Sequence, residues 1–308
     1  MTPRRPPLTG ARALAAGSRG PGTRLMARAL DAALHTAIDT AAARAAEPDG
    51  LRFTERQLYF ETCRVLDPAL PVLSRVPRTV RPYLRLSSFT RALDARGRDT
   101  VPGLLPPPPE GVPAPQRESE PDLHDYGLPR LLVCQDRAIA RMLLANHVHL
   151  EAACPVFAVA GALPFDPRLT TALERAGGAT VYVLHDASPR GIALRGLVRA
   201  SLGPAPGVRV SSIGLVPRHA RAMRLPAGRG PVRREELAAL PGTLRQQETA
   251  WLAQGRFAEV AAVPPGRLVR AVLRLTRGPR VPRASVWTGL RDLRATGFLS
   301  WPDPTGRP

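Results

Sequence analysis

Residues 181–196 read "VYVLHDASPRGIALRG", and the order of elements within them sets the reading of the whole chain. A β-branched run ends at Asp186, and Pro189-Arg190-Gly191 then turns into a helix-like stretch. An acid at the carboxyl end of a buried strand, with a helix to follow, is where open α/β folds place a metal or phosphate site. A divalent ion held by protein wants more than one carboxylate, and the partner position here carries Ser188. The competing reading of Asp186 is a plain cap on the helix that follows.

Outward from this stretch the chain alternates. "RLLVC" (130–134), "VFAVAG" (156–161), "TVYVL" (180–184) and "VRVSSIG" (208–214) are strand-like. "RAIARMLLAN" (137–146), "RLTTALERAGG" (168–178) and "GIALRGLVRASL" (191–202) are helix-like and fall between them. Such alternation predicts parallel strands joined by crossover helices, an open α/β domain, placed here over 122–232. Residues 101–121, "VPGLLPPPPEGVPAPQRESEP", are too rich in proline for a regular element and are read as a linker. Before it, Leu30, Leu34 and Ile38 recur every four residues. Thr54 and Gln57 in "FTERQLYFETCRVL" form a capping box that predicts a helix from Glu55. A small helical domain is therefore expected over 25–100, preceded by a basic arm at 1–24. A helical extension at 233–300 and a tail at 301–308 close the chain.

The 308 residues include 44 basic side chains, all Arg, against 25 acidic ones, a net charge of +19. Such a field favours a polyanion, most readily nucleic acid. The absence of Lys carries no functional weight, because a GC-rich genome produces it. Cys63, Cys134 and Cys154 are isolated thiols without disulfide or zinc spacing, which fits a reducing cytoplasmic compartment. No apolar run reaches the ~20 residues of a membrane span, so no membrane association is expected. The first thirty residues lack an apolar signal core, which argues against secretion and leaves an organelle transit peptide open.

"PPGRLVRAVLRLTRGPR" (264–280) sets Arg267, Arg270, Arg274 and Arg277 at helical spacing along one side. The stripe reads either as a phosphate-tracking surface or as an ordinary solvated face, and the net charge favours phosphates. In "NHVHLEAAC" (146–154), His147, His149 and Glu151 would align as a metal set if extended, but the segment reads better as a connection between helix and strand.

Four stretches together carry a resemblance. "FTERQLYF" is similar to the Arg-x-apolar-Tyr-Tyr motif, and "LLVCQDRAIARML" to the first strand and helix of a Toprim domain. "VLHDASPRGIAL" is similar to the Toprim Asp-x-Asp-Pro-x-Gly turn, and "SSIGLVPRHARAMRLP" to the Ile-Gly-Leu-x-Pro segment that follows it. In this order, over roughly 50–265, they resemble the A subunit of type IIB topoisomerases (topoisomerase VI). That family also holds the meiotic double-strand-break protein and bacterial nuclease subunits of plasmid-defence systems. The resemblance implies a winged-helix-like domain followed by a Toprim-like α/β domain. It further implies duplex DNA as partner, a homodimer, an ATPase partner subunit, magnesium as cofactor and a place at the nucleoid.

The departures decide the functional expectation. The position of the family's nucleophilic Tyr holds Phe60, the Toprim Glu position holds Gln135, and the second Asp position holds Ser188. Phe has no hydroxyl with which to form a phosphotyrosyl bond. Tyr59 is left as the candidate nucleophile, with helix core as its competing role. Asp186, aided by Asp136, is left to hold magnesium weakly or not at all. Arg56 and Arg190 join the phosphate-binding candidates. The expected function is DNA binding with the cleavage chemistry lost. An active magnesium-dependent DNA-cleaving enzyme and a non-catalytic scaffold for a catalytic relative or ATPase are the alternatives.

Overall fold

The computed structural model describes residues 21–48, 50–67, 78–107, 127–159 and 163–277. Most of the basic arm and of the proline-rich linker, the end of the helical extension and the tail lie outside these residues.

Helix α1 spans Pro21–Ala45, so it begins inside the stretch read as an arm. Proline suits a first helical position because its missing N–H has no intrahelical partner there. Ile38, Ala41, Ala42 and Ala45 of α1 are buried at the spacing of a single helix face. Helix α2 (Glu55–Leu66) starts where the capping box predicts: Thr54 accepts from the Gln57 amide, and the Gln57 side chain accepts from the Thr54 amide. Helix α3 (Leu86–Arg96) adds Phe89 and Leu93 to the same core and stops at Gly97, whose φ of 88° favours glycine.

The predicted alternation is present. Strands β1 (Arg130–Cys134), β2 (Val156–Ala158), β3 (Thr180–Leu184) and β4 (Arg209–Ser212) form a parallel sheet in the order β2-β1-β3-β4. Val133 lies opposite Phe157 on one side and Val183 on the other. The crossovers carry α4 (Arg137–Ala145), α5 (Val148–Ala152), α6 (Pro167–Arg175) and α7 (Pro189–Leu202). The segment 146–154 joins α4 to β2 as expected, through the short helix α5, entered through His147 at a left-handed φ of 56°.

Side chains alternate across a pleated strand, so each strand feeds two cores. Leu131, Val133, Val181 and Val183 join Leu169, Leu173, Leu194 and Val198 of α6 and α7. Leu132, Cys134 and Leu184 join the other cluster, with Ile139 and Leu143 of α4, the buried faces of α1–α3, and Leu268 and Val272 further along the chain. The helices before the proline-rich stretch and the sheet after it therefore share one hydrophobic cluster, which crosses the boundary placed at 101–121.

Beyond the sheet follow α8 (Pro217–Ala222), β5 (Gly228–Arg229), α9 (Arg234–Ala238), α10 (Gln246–Ala253), β6 (Arg256–Phe257) and α11 (Pro265–Arg277). Strands β5 and β6 pair antiparallel. Together these make a mixed α/β protein with a four-stranded parallel sheet and, among the described residues, eleven helices. No helix among these residues is long and apolar enough to cross a membrane.

Candidate functional site

The sheet order reverses direction between β1 and β3, and the crevice beyond such a reversal is where open α/β sheets bind ligands. Gln135 and Asp136 follow β1 and Asp186 follows β3, so the residues singled out in the sequence do meet at one place. Their side chains are largely committed to the backbone there. The Asp186 amide donates to Gln135 Oε1 at 2.9 Å, and Asp136 Oδ1 caps α4 by accepting from the Ala138 amide at 2.7 Å. Ser188 Oγ accepts from the Gly191 amide at 3.0 Å. The cap of α7 is therefore Ser188, which corrects the capping role considered for Asp186.

Asp186 is instead tied to a distant segment. Its Oδ1 accepts from the Val260 amide at 2.6 Å, and Ala187 and Ala258 exchange both backbone hydrogen bonds beside it. This pairing delivers Glu259 to the crevice. Burial pushes the Asp186 carboxyl up from 3.8 to about 7; the Val260 amide and Arg56 oppose the rise, while Glu259 and Asp136 add to it. Glu259 had no motif around it, and only the fold identifies it.

His185, one residue earlier, is 1% exposed. Its Nδ1 lies 2.9 Å from the Asp186 carbonyl oxygen, which can only accept, so Nδ1 carries the hydrogen. Nε2 then accepts from the Ser212 hydroxyl at 2.6 Å, and burial lowers the imidazole's affinity for a second proton.

Helix α2 closes the site from the other side. Arg56, expected to contact phosphate, forms a two-pronged ion pair with Glu259 and lies over the rings of Tyr59 and Phe60. Tyr59, the candidate nucleophile, is 4% exposed and donates its hydroxyl to the Leu84 carbonyl at 2.8 Å. Burial, above all, raises its phenol far above the ordinary value. A nucleophile needs an accessible, readily ionised oxygen, and this arrangement withholds both. Tyr59 stands as a core residue of α2.

Magnesium, which the family resemblance implies, finds a poor donor set in this crevice. Gln135 Oε1, Asp136 Oδ1, Asp186 Oδ1 and Ser188 Oγ each already accept a backbone amide. Glu259 is held by a guanidinium. Among the described residues no three His, Cys, Asp or Glu side chains are grouped closely enough to hold a metal, and His147, His149 and Glu151 are no exception. With one oxygen of Asp136 and of Asp186 committed to the backbone and Glu259 paired to Arg56, these residues fit the ion poorly.

The arginine stripe survives in part. Leu268, Val269, Val272 and Thr276 bury one side of α11, and Arg267, Arg270 and Arg274 are exposed on the other. Arg277 leaves the stripe: it binds the Glu151 carboxylate at 2.7 Å and the Glu151 carbonyl at 3.0 Å. Arg190, second residue of α7, is exposed.

No protein-family model matches this chain, and no curated protein or solved structure is significantly similar to it.

Gly191 gives a direct check on how tightly the crevice is closed. A Cβ there would lie 2.6 Å from both the Asp186 carbonyl oxygen and Gln135 Oε1. Gly191→Ala is expected to destabilise the protein by about 2 kcal/mol, although alanine is the better helix former by about 1 kcal/mol. A denaturant melt showing Gly191→Ala as stable as the parent would mean the strand ends are open.

Proposed function

We propose that this protein binds duplex DNA without sequence specificity, as a dimer resembling the A subunit of type IIB topoisomerases, and that it does not cleave it. One observation carries the reading. Three arginines, Arg267, Arg270 and Arg274, stand exposed on a helix whose other side is anchored in the core, in a chain of net charge +19. Guanidiniums on a rigid element are pre-placed for phosphates and hold no information about base identity.

The loss of cleavage is supported by the crevice itself. Gln135, Asp136, Asp186 and Ser188 each give an oxygen to a backbone amide, the Tyr59 hydroxyl is tied to Leu84, and Arg56 is neutralised by Glu259. Each group that the resemblance would assign to chemistry has a structural partner instead. The dimer and the ATPase partner rest on the resemblance alone.

The test is incubation with supercoiled plasmid, with and without Mg²⁺, reading mobility shift and nicking together. A shift that weakens steeply between about 50 and 200 mM salt, with no nicks, is expected. A shift indifferent to salt would sink the DNA-binding reading. Magnesium-dependent nicks that vanish in Asp186→Ala would sink the claim that cleavage is lost.

A further inference from the structure

A second basic feature lies away from the strand ends. The segment preceding α3, helices α8 and α10, and strand β6 border an open cleft of about 490 Å³. Arg78, Arg221 and Arg256 line it together with Gln247, Gln254 and Trp251, and among the described residues no carboxylate does. Among the described residues none of the three guanidiniums has an ion pair or a side-chain hydrogen bond. Arg256 is half-buried, and Arg78 and Arg221 stand exposed at the rim. Three guanidiniums bordering one depression raise the local positive potential and favour an anion there.

Trp251 adds an independent observation. It is 7% exposed, it forms part of the cleft wall, and its indole N–H has no acceptor among the described residues. Buried indole N–H groups ordinarily find one.

The geometry points to a binding site for a nucleotide phosphomonoester. Charge selects the monoester: a backbone diester offers one negative charge, whereas a monoester carries about 1.5 to 2 near neutral pH and three strong acceptor oxygens. Three guanidiniums match the second far better than the first. The indole and the two glutamine amides provide an aromatic wall and both donors and acceptors for a base edge. The volume lies within the roughly 300–1,000 Å³ usual for small-ligand sites. The monoester belongs either to a free mononucleotide or to the 5′-phosphorylated end of a DNA strand. This site stands independently of the arginine row on α11.

The experiment is calorimetric titration of the full-length protein with deoxyadenosine 5′-monophosphate, with deoxyadenosine, and with a short blunt duplex carrying either 5′-phosphate or 5′-hydroxyl ends. Saturable binding of the monophosphate but not of the nucleoside assigns the site to a free nucleotide. A 5′-phosphorylated duplex that binds about tenfold tighter than its 5′-hydroxyl twin assigns it to a strand end. In either case Arg221→Gln with Arg256→Gln is expected to remove the phosphate dependence, with an unchanged thermal melt. Trp251→Phe, which leaves a smaller aromatic wall, should weaken it less. Equal affinity for both duplexes with no mononucleotide binding overturns the proposal, as does phosphate-dependent binding that the double variant retains. Arg267→Glu, Arg270→Glu and Arg274→Glu together separate the two readings: general duplex affinity is lost there while phosphate-dependent binding stays.

Discussion

The triple variant Arg267→Glu, Arg270→Glu, Arg274→Glu is expected to lose about a hundredfold in affinity for duplex DNA near 0.15 M salt. The magnitude follows from counterion release: each phosphate contact is worth about 1 kcal/mol at that ionic strength, and three are removed. A second readout is more diagnostic than the affinity. The slope of log affinity against log salt should become shallower by about 2.7, from about 0.9 per lost contact. All three positions are exposed, so the fold should be indifferent to the change. An affinity drop without a change of slope would mean that the variant acts indirectly and that α11 does not touch phosphate. Arg277→Glu serves as the contrast. Its partner is Glu151, so it should cost stability through repulsion between two acids and leave the salt slope nearly unchanged.

Asp186→Asn is expected to stabilise the protein at alkaline pH. The parent carboxyl is raised by burial from 3.8 to about 7, so the folded state holds its proton more tightly than the unfolded chain does. Its favourable contribution is therefore complete below about pH 4. It declines as pH rises toward 7, where the folded carboxyl ionises at a cost. Asparagine keeps an Oδ1 to accept from Val260 and carries no charge at any pH. The stability difference between variant and parent should thus be near zero at pH 4 and grow through the window from 4 to 7. It levels off above that at up to roughly 4 kcal/mol, about 1.4 kcal/mol for each pH unit of the rise. Denaturant melts at four pH values measure this, because all other titrations cancel in the difference. A pH-independent difference would place Asp186 in solvent, and its crevice would then be open to a metal after all.

The two expectations draw on different levels of the chain. The row on α11 was readable as a spacing of three and four residues, but the partner of its last member was not, because Glu151 lies 126 positions away. Asp186 was readable as an acid at a strand end. Its environment was not, since the Val260 amide that engages it lies 74 positions further on. Gln135 illustrates the same division. Its identity announced a departure from an acidic ligand, but its hydrogen bond to the Asp186 amide emerges only when β1 and β3 lie side by side.

By itself, then, the sequence determined the alternation of strands and helices, the parallel sheet, the capping box at Thr54 and the meeting of Gln135, Asp136 and Asp186 at one edge. These follow from short-range rules: side-chain period, turn chemistry and the geometry of crossover connections. Tertiary structure alone decided that Glu259 neutralises Arg56, that Tyr59 spends its hydroxyl on Leu84, and that helices on both sides of the proline-rich stretch fill one core. Those outcomes depend on which distant groups share a desolvated space. Burial turns such neighbours into partners or shifts their protonation, and no local pattern encodes that.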